Sequence, residues 1–373
     1  MNHVHELSSP SAVTEYLVSR GDLRGVVIEG VDLRACGLDW SVIDVNGSAF
    51  LACTFGDGED ALAVQANGAV VIPDLSEGRP FRVYPSGLYT YETLASSGAD
   101  AAIEAWFHAH PEPMEPVEAI AQRMHDTAMT DAIGELIRPA GEEARRVVGV
   151  MGGHAVTRDT DEYEQVVRLG IELTRAGFFV ATGGGPGVME AANLGAYLTR
   201  EGPADEGTAD AIAAALEVLR EAPGVDDPGY GDVAERVHAV RASAHGGESL
   251  AIPTWLYTHE PVGRFATHIA KYFANSIRED GLLRLADNGV VFARGGAGTI
   301  QEVFQDAALN AYAPPYERVP MVFLGREFFT TNGVWDVLRG QAALADPPYE
   351  ELLLLTDEVS EAVEFIGRYA DDP

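Results

Sequence analysis

The chain of 373 residues has room for two domains at roughly 100–200 residues each, and 46% apolar with 22% charged residues is the make-up of a globular protein with a full core. No run approaches the ~18 uninterrupted apolar residues of a membrane helix, which argues against a membrane-spanning protein. A net charge of −33, with Lys271 as the only lysine, repels nucleic acid and anionic lipid, so an anionic ligand needs a local pocket of arginine and backbone N–H groups.

The start, MNHVHELSSPSAVTEYL, lacks a basic stretch followed by an apolar one, so no targeting peptide is read and cytoplasmic residence is expected. Cys36 and Cys53 are too few for a disulfide framework and lack metal-ligand spacing, which fits a reducing compartment and predicts no metal site. Leu23, Ile28, Leu33, Leu38 and Ile43 recur every five residues, with Val26, Val31, Cys36 and Ser41 two places before the later four. The pattern resembles a short pentapeptide-repeat coil, and the same composition suits ordinary short strands. Residues 56–145 read as β-rich to about Tyr91, then helical from about Gly98 to His110 and again after Pro116, with HAHPEPMEP as the break. Residues 1–145 thus form an N-terminal β-rich and helical region of unknown role.

From Arg146 strands alternate with helices. RVVGVMGG is a buried strand ending in glycine, residues 160–176 have helical spacing, and GFFVATGGGPG is a strand running into a glycine turn, followed by a helix through VMEAANLGAYL. Residues about 201–247 read as an insertion around one helical stretch, ADAIAAALEVLREA. The alternation resumes with LAIPTWLY, a helix through RFATHIAKYFANSI, the strand GVVFA, a helix from Thr299, the strand VPMVFL, a helix near GVWDVL, the strand ELLLLT and a last helix. Short apolar strands between amphipathic helices predict an α/β domain over 146–373, a doubly wound, mostly parallel, Rossmann-like sheet. Ligands of such sheets sit at the carboxyl ends of the strands, where both glycine-rich loops fall.

In ATGGGPGVMEAANLGA the glycines Gly183, Gly184, Gly185 and Gly187 permit close approach of a ligand, and Pro186 and Gly187 open a helix whose N–H groups attract an anion. The loop reads equally as a tight strand-to-helix turn. ARGGAGTIQE repeats the design with Gly295, Gly296 and Gly298. Thr299 stands at the expected N-cap with Glu302 three residues on, which is also a capping box. Two such loops at one sheet edge favour a phosphorylated ligand.

The pair GGGPGVMEAANLGA and GGAGTIQE resembles the two motifs of the LOG family of phosphoribohydrolases, whose second motif is PGGxGTxxE and whose members are often mislabelled lysine decarboxylases. MGGHAVTRDTDEYEQVVRLGIEL is similar to the turn after the first strand in the longer bacterial members, the nucleotide 5'-monophosphate nucleosidases. The resemblance covers about residues 146–366 outside the insertion. It implies hydrolysis of the N-glycosidic bond of a nucleoside 5'-monophosphate to free base and ribose 5-phosphate, without cofactor or metal, by a homodimer or larger homo-oligomer. Glu302 matches the motif glutamate, which stabilises an oxocarbenium-like sugar and orients water. Arg278 is the best match to the family's arginine, and it reads otherwise as a surface residue. The phosphate is expected on the N–H groups from Gly296 to Thr299, with the first loop lining the other side. His154 is a candidate contact to ribose or phosphate, and Glu190 a candidate partner of a ribose hydroxyl or simply of the helix dipole. The motif proline is Arg294 here, an added positive charge near the phosphate. The alternative is a non-catalytic binder of a nucleotide or phosphorylated cofactor, since related folds serve as molybdenum cofactor carriers. A decarboxylase would need Lys271 as its Schiff-base lysine, without a recognisable cofactor motif. The base preference is expected to depend on PTWLYTHEP.

Overall fold

A computed structural model of the chain describes residues 5–56, 58–111, 114–199, 206–241, 246–257 and 261–370. Residues 112–113 of the predicted helix break, 200–205 and 242–245 of or beside the predicted insertion, and 258–260 of PTWLYTHEP lie outside them. Two compact units result: Met1–Leu88 with Ala101–Ala140, and Tyr89–Asp100 with Gly141–Pro373.

The first unit is a four-stranded parallel sheet of β1 (His5–Leu7), β2 (Val26–Glu29), β3 (Ala49–Leu51) and β4 (Val70–Ile72), in that order. Helix α1 (Pro10–Arg20) joins the first two strands. Ser9 caps it by accepting the Ala12 N–H at 3.2 Å, and Gly21 ends it in the left-handed region. Helix α2 (Gly58–Ala66) precedes β4. The five-residue recurrence does point Leu23, Ile28 and Leu33 inward with Val26 and Val31, but Leu38 and Ile43 are only half-buried. Successive circuits stack in parallel, with Val27 beside Ala49 and Ala49 beside Val70, and between strands the Gly25 N–H donates to the Asn46 carbonyl and the Leu33 N–H to the Thr54 carbonyl; α1 and α2 stand in two of the circuits. Trp40 packs edge-on to Phe50 at 5.6 Å. Helices α3 (Ala99–Ala109) and α4 (Pro116–Ile137) follow.

The second unit carries a seven-stranded, all-parallel sheet. Its strands and helices alternate: β5 (Arg146–Met151), α5 (Asp161–Arg175), β6 (Phe178–Thr182), α6 (Val188–Leu198), α7 (Glu206–Leu219), α8 (Tyr230–Arg241), β7 (Ser249–Ala251) and β8 (His268–Ile269). Then come α9 (Asn275–Leu285), β9 (Val290–Phe292), α10 (Ala297–Tyr312), β10 (Met321–Leu324), α11 (Arg326–Thr331), α12 (Val334–Leu344), β11 (Leu353–Thr356) and α13 (Val359–Ala370). The order β11-β10-β9-β5-β6-β7-β8 places the first strand in the middle, with later strands added on both sides. This is the doubly wound, Rossmann-like α/β sheet expected from the alternation, and its switch point lies between β5 and β9. Helices α5, α6 and α13 pack together on one face, and α9, α10 and α12 on the other. Its strands are buried on both faces, and Val148, Val150, Val180, Val291 and Val322 are fully enclosed.

One predicted helix is absent. RFATHIAKYFANSI holds a short strand and irregular backbone, and α9 begins only at Asn275. Ile269 pairs with Ala251 of β7 and bridges to Tyr89, Thr267 exchanges hydrogen bonds with the Ser249 backbone, and the Trp255 N–H donates to the Tyr272 carbonyl at 3.0 Å. Sheet pairing from distant residues outweighs the local helical spacing. Lys271 and Arg278 are therefore not two turns of one helix. The insertion holds two helices, α7 and α8, where the sequence suggested one.

Candidate functional site

Three loops meet at the switch point. The Gly153 N–H donates to the Arg294 carbonyl at 2.9 Å, and the Gly153 carbonyl accepts the Val188 N–H at 3.2 Å, so the turn after β5 ties together the turns after β6 and β9. Backbone touches backbone there. A Cβ on Gly153 would stand 2.9 Å from the Gly295 Cα, and one on Gly295 would collide with the Thr299 hydroxyl and sit 2.8 Å from the Gly153 nitrogen. Gly187, at φ 71°, would drive a Cβ into the Gly153 carbonyl. Only glycine fits these positions.

That contact decides how α10 starts. Gly296, with extended backbone, is the N-cap and supplies no side chain, and the helix runs from Ala297. Thr299 is thus the third helical residue, buried beside Gly295, and the predicted capping box does not form. The N–H groups of Ala297, Gly298 and Thr299 have no carbonyl partner among the described residues. They make the free, positive end of a 16-residue helix, a ready anion site. The first loop has a different use: Gly183, Gly184, Gly185 and Gly187 are all buried. A Cβ on Gly184 would stand 2.7 Å from Pro253, and one on Gly183 would be 3.0 Å from Arg278 Nη1.

Glu302 lies one turn beyond the free N–H groups, half-buried, and among the described residues no hydrogen bond holds its carboxylate. Burial pushes its pKa up to about 7; the Arg278 guanidinium opposes the rise and Glu279 adds to it. Arg278 is buried at 7% exposure against Gly183, not on the surface. Its Nε donates to Asn275 Oδ1 at 2.9 Å and its Nη2 to Glu279 Oε1 at 3.3 Å. Glu279 also accepts from Asn275 Nδ2 at 2.7 Å and, through Oε2, from Gln301 Nε2 at 2.9 Å. The start of α9 is thereby fastened to the first turns of α10, and Arg278 is oriented next to the carboxylate. Glu279 and Gln301 went unread in the sequence, although each adjoins a predicted residue.

The remaining candidates are placed as follows. His154 is exposed at the same edge. Arg294 is exposed, and its guanidinium is turned to Glu162 of α5, with Nη1 3.3 Å from Oε1, and to the Phe328 ring. Glu190 does not offer a free carboxylate to a ribose. It is buried, accepts Arg158 Nε at 2.9 Å and Nη2 at 2.5 Å, and takes the Tyr163 and Tyr230 hydroxyls at 3.0 and 2.8 Å. The expected ribose contact is corrected to an internal ion pair. Lys271 is buried and donates to Asp100 Oδ1 at 2.8 Å, an atom that also accepts Trp255 Nε1, so it anchors the Tyr89–Asp100 segment. Among the described residues no group of three or more His, Cys, Asp or Glu stands close enough to hold a metal ion, and no helix is long and apolar enough to cross a membrane.

One turn beyond Glu302 on the same face of α10, Asp306 is 1% exposed, and its Oδ2 has no hydrogen-bond partner. Burial pushes its pKa up to about 8. A carboxyl whose folded pKa is raised stabilises fully below its ordinary value, and that stability is lost as pH climbs through the folded value. Asp306→Leu is therefore expected to stabilise the fold, by on the order of a few kcal/mol at pH 8 and much less at pH 4, and to raise the melting temperature accordingly. Melts across pH 4–8 check it; a gain independent of pH would show that Asp306 is not a buried neutral acid.

At the switch point of a doubly wound sheet, the free N-terminus of α10 thus stands next to a carboxylate of raised pKa and a buried arginine. Residues 145–202, from β5 through α6, match the model of the SLOG cluster4 family. The comparison with curated proteins gives no match. Among solved structures, the molybdenum cofactor binding protein of Rippkaea orientalis is similar at 16% identity and a TM-score of 0.38, over 61% of this chain and 99% of that one. The Moco carrier protein of Chlamydomonas reinhardtii gives 17% and 0.34 over 61% and 99%, and the structural-genomics target TM1055 gives 20% and 0.38 over 60% and 99%.

Proposed function

We propose that the protein hydrolyses the N-glycosidic bond of a nucleoside 5'-monophosphate. The observation that carries this reading is the position of Glu302, unhydrogen-bonded and facing Arg278 one turn beyond three free N–H groups. The resemblance of GGAGTIQE to PGGxGTxxE and the SLOG match over 145–202 support it. The N–H groups of Ala297, Gly298 and Thr299 hold the phosphate, which sets the ribose over the first turns of α10. As the bond from C1' to the base nitrogen breaks, positive charge grows on the sugar, and the ionised Glu302 stabilises it. Water attacks C1', its oxygen becomes the ribose hydroxyl, and the proton it gives up balances the one taken by the departing base. Arg278 favours the ionised form of Glu302 against the effect of burial and is placed to bind a ribose hydroxyl or the phosphate.

The test is to incubate the protein with AMP, GMP, CMP, UMP and IMP and to follow products by chromatography. Free base and ribose 5-phosphate in equal amounts from at least one nucleotide are expected. Binding without release from any would overturn hydrolysis in favour of a second reading, a non-catalytic carrier or sensor of a phosphorylated ligand. Arg294 in place of the motif proline is the feature that favours that second reading.

A further inference from the structure

The turn after β9 has different surroundings on its two sides. Glu302 and Arg278 stand on the face of α9 and α10. Opposite, on the face of α5, a half-open cleft of about 570 Å³ lies over the carboxyl ends of β9, β10 and β11. That volume falls within the ~300–1,000 Å³ range of small-ligand sites. Its floor is apolar and fully enclosed, made by Val166, Val188 and Leu324.

Two flat groups meet on one of its walls. The Phe328 ring forms part of one wall, and the Arg294 guanidinium stands 5.9 Å from the ring centroid. A guanidinium and an aromatic ring both favour a planar ring laid against them. The Arg294–Glu162 pair that now occupies the mouth is weak: it spans 3.3 Å, and the two side chains are 62% and 46% exposed. Such exposed pairs contribute about 0–1 kcal/mol, so a ligand displaces it at little cost.

Charge selects the ligand further. Glu162, Glu327 and Asp357 face one arginine, so the lining repels a phosphate where the N-terminus of α10 attracts one. The carboxylates accept hydrogen bonds and call for N–H or O–H donors. Asp357 is only partly engaged, with Oδ1 accepting the Arg326 N–H at 2.8 Å and Oδ2 3.8 Å from Arg326 Nε.

We propose that this cleft is a second, separate site for a neutral or weakly basic planar heterocycle, a nucleobase or phosphate-free nucleoside. Its ring lies against Phe328 in the place the Arg294 guanidinium now holds, Arg294 shifts outward to cover it as its pair with Glu162 opens, and the ring's N–H groups face Glu162 and Asp357. Arg294, the departure from the motif proline, thereby serves this cleft and leaves the phosphate to the helix N-terminus. The proposal holds whether or not the other site hydrolyses nucleotides.

Equilibrium dialysis of the full chain with adenine and adenosine tests it. Adenosine is expected to bind wild-type and Glu302→Gln protein equally, in the presence or absence of saturating ribose 5-phosphate. Phe328→Ala and the exposed Arg294→Ala are each expected to weaken it at least about tenfold, a difference of about 1.4 kcal/mol. Should Phe328→Ala fail to fold, Arg294→Ala alone decides. No binding of adenine or adenosine at millimolar concentration, competition by ribose 5-phosphate, or unchanged affinity in Arg294→Ala would overturn the proposal. Failure of base release in the nucleotide assay would leave every one of these outcomes readable.

Discussion

Replacing Glu302 by glutamine is expected to lower base release by at least about a thousandfold, the upper range for removing one group aimed at charge that develops only in the transition state. The dissociation constant of the nucleotide is expected to stay within about threefold, because the phosphate partners are backbone N–H groups that the substitution does not touch. The pH profile gives the sign. With its pKa pushed up to about 7 by burial, Glu302 is protonated in acid and cannot stabilise a cationic sugar, so the wild-type rate should rise with pH through about 7 and level off above it. The same raised pKa makes the ionised carboxylate a burden on the fold: its stabilising effect is present at low pH and lost as pH rises through about 7. Glu302→Gln should therefore be at least as stable as the wild type at pH 8. A residue that only capped its helix would behave the other way, leaving turnover untouched and lowering stability when removed. Steady-state kinetics across pH 5–9 with melts of both proteins separate the two, and unchanged turnover would sink the hydrolase reading.

Much of the second unit was legible because its signals are local. The strands around Val148, Val180, Val291 and Val322 are apolar runs closed by glycine, and the loops after β6 and β9 sit where such runs must turn. What failed depended on residues far apart in the chain. The segment around Ile269 has helical spacing, yet Ala251 and Tyr89 claim its backbone for the sheet. Thr299 and Glu302 spell a capping box, yet the close passage of Gly153 past Gly295 starts the helix earlier. The five-residue recurrence from Leu23 is real as burial in its first three members, and the strands that begin at Val26, Ala49 and Val70 pair in parallel from one circuit to the next, with a helix in place of the recurrence between Leu51 and Val70. For the candidate site, motif spacing picked out Glu302 and Arg278, which the structure brings near each other from the first turns of α10 and α9. It misjudged Glu190, whose role is set by partners from three other places in the chain. Nothing within four residues of Glu190 announces Arg158, Tyr163 or Tyr230.

Those partners carry the second large expected effect. Arg158 is 1% exposed, makes two charge-assisted hydrogen bonds to Glu190, and gives Nη1 to the carbonyls of Ala222 at 3.2 Å and Tyr230 at 3.0 Å. Its guanidinium also lies 3.4 Å from the centroid of the Tyr230 ring. Burial by itself would push this arginine toward its neutral form, and the hydrogen bonds and charge of Glu190 more than reverse that, which leaves its pKa raised. One side chain therefore joins the turn before α5, the first turn of α6 and both ends of the Ala222–Tyr230 link between α7 and α8. Arg158→Ala strands the Glu190 carboxylate in the core and is expected to cost about 3–5 kcal/mol, as removal of one partner of a buried pair does. Arg158→Met with Glu190→Leu removes both charges and fills the volume, and is expected to recover most of that loss. Urea midpoints of the wild type, Arg158→Met, Glu190→Leu and the double variant close the cycle. Glu190→Gln should lower stability with the nucleotide KM nearly unchanged, since no Glu190 oxygen is free for a ligand. A raised KM at full stability would return Glu190 to the ribose, and would mean that the ion pair opens when substrate binds.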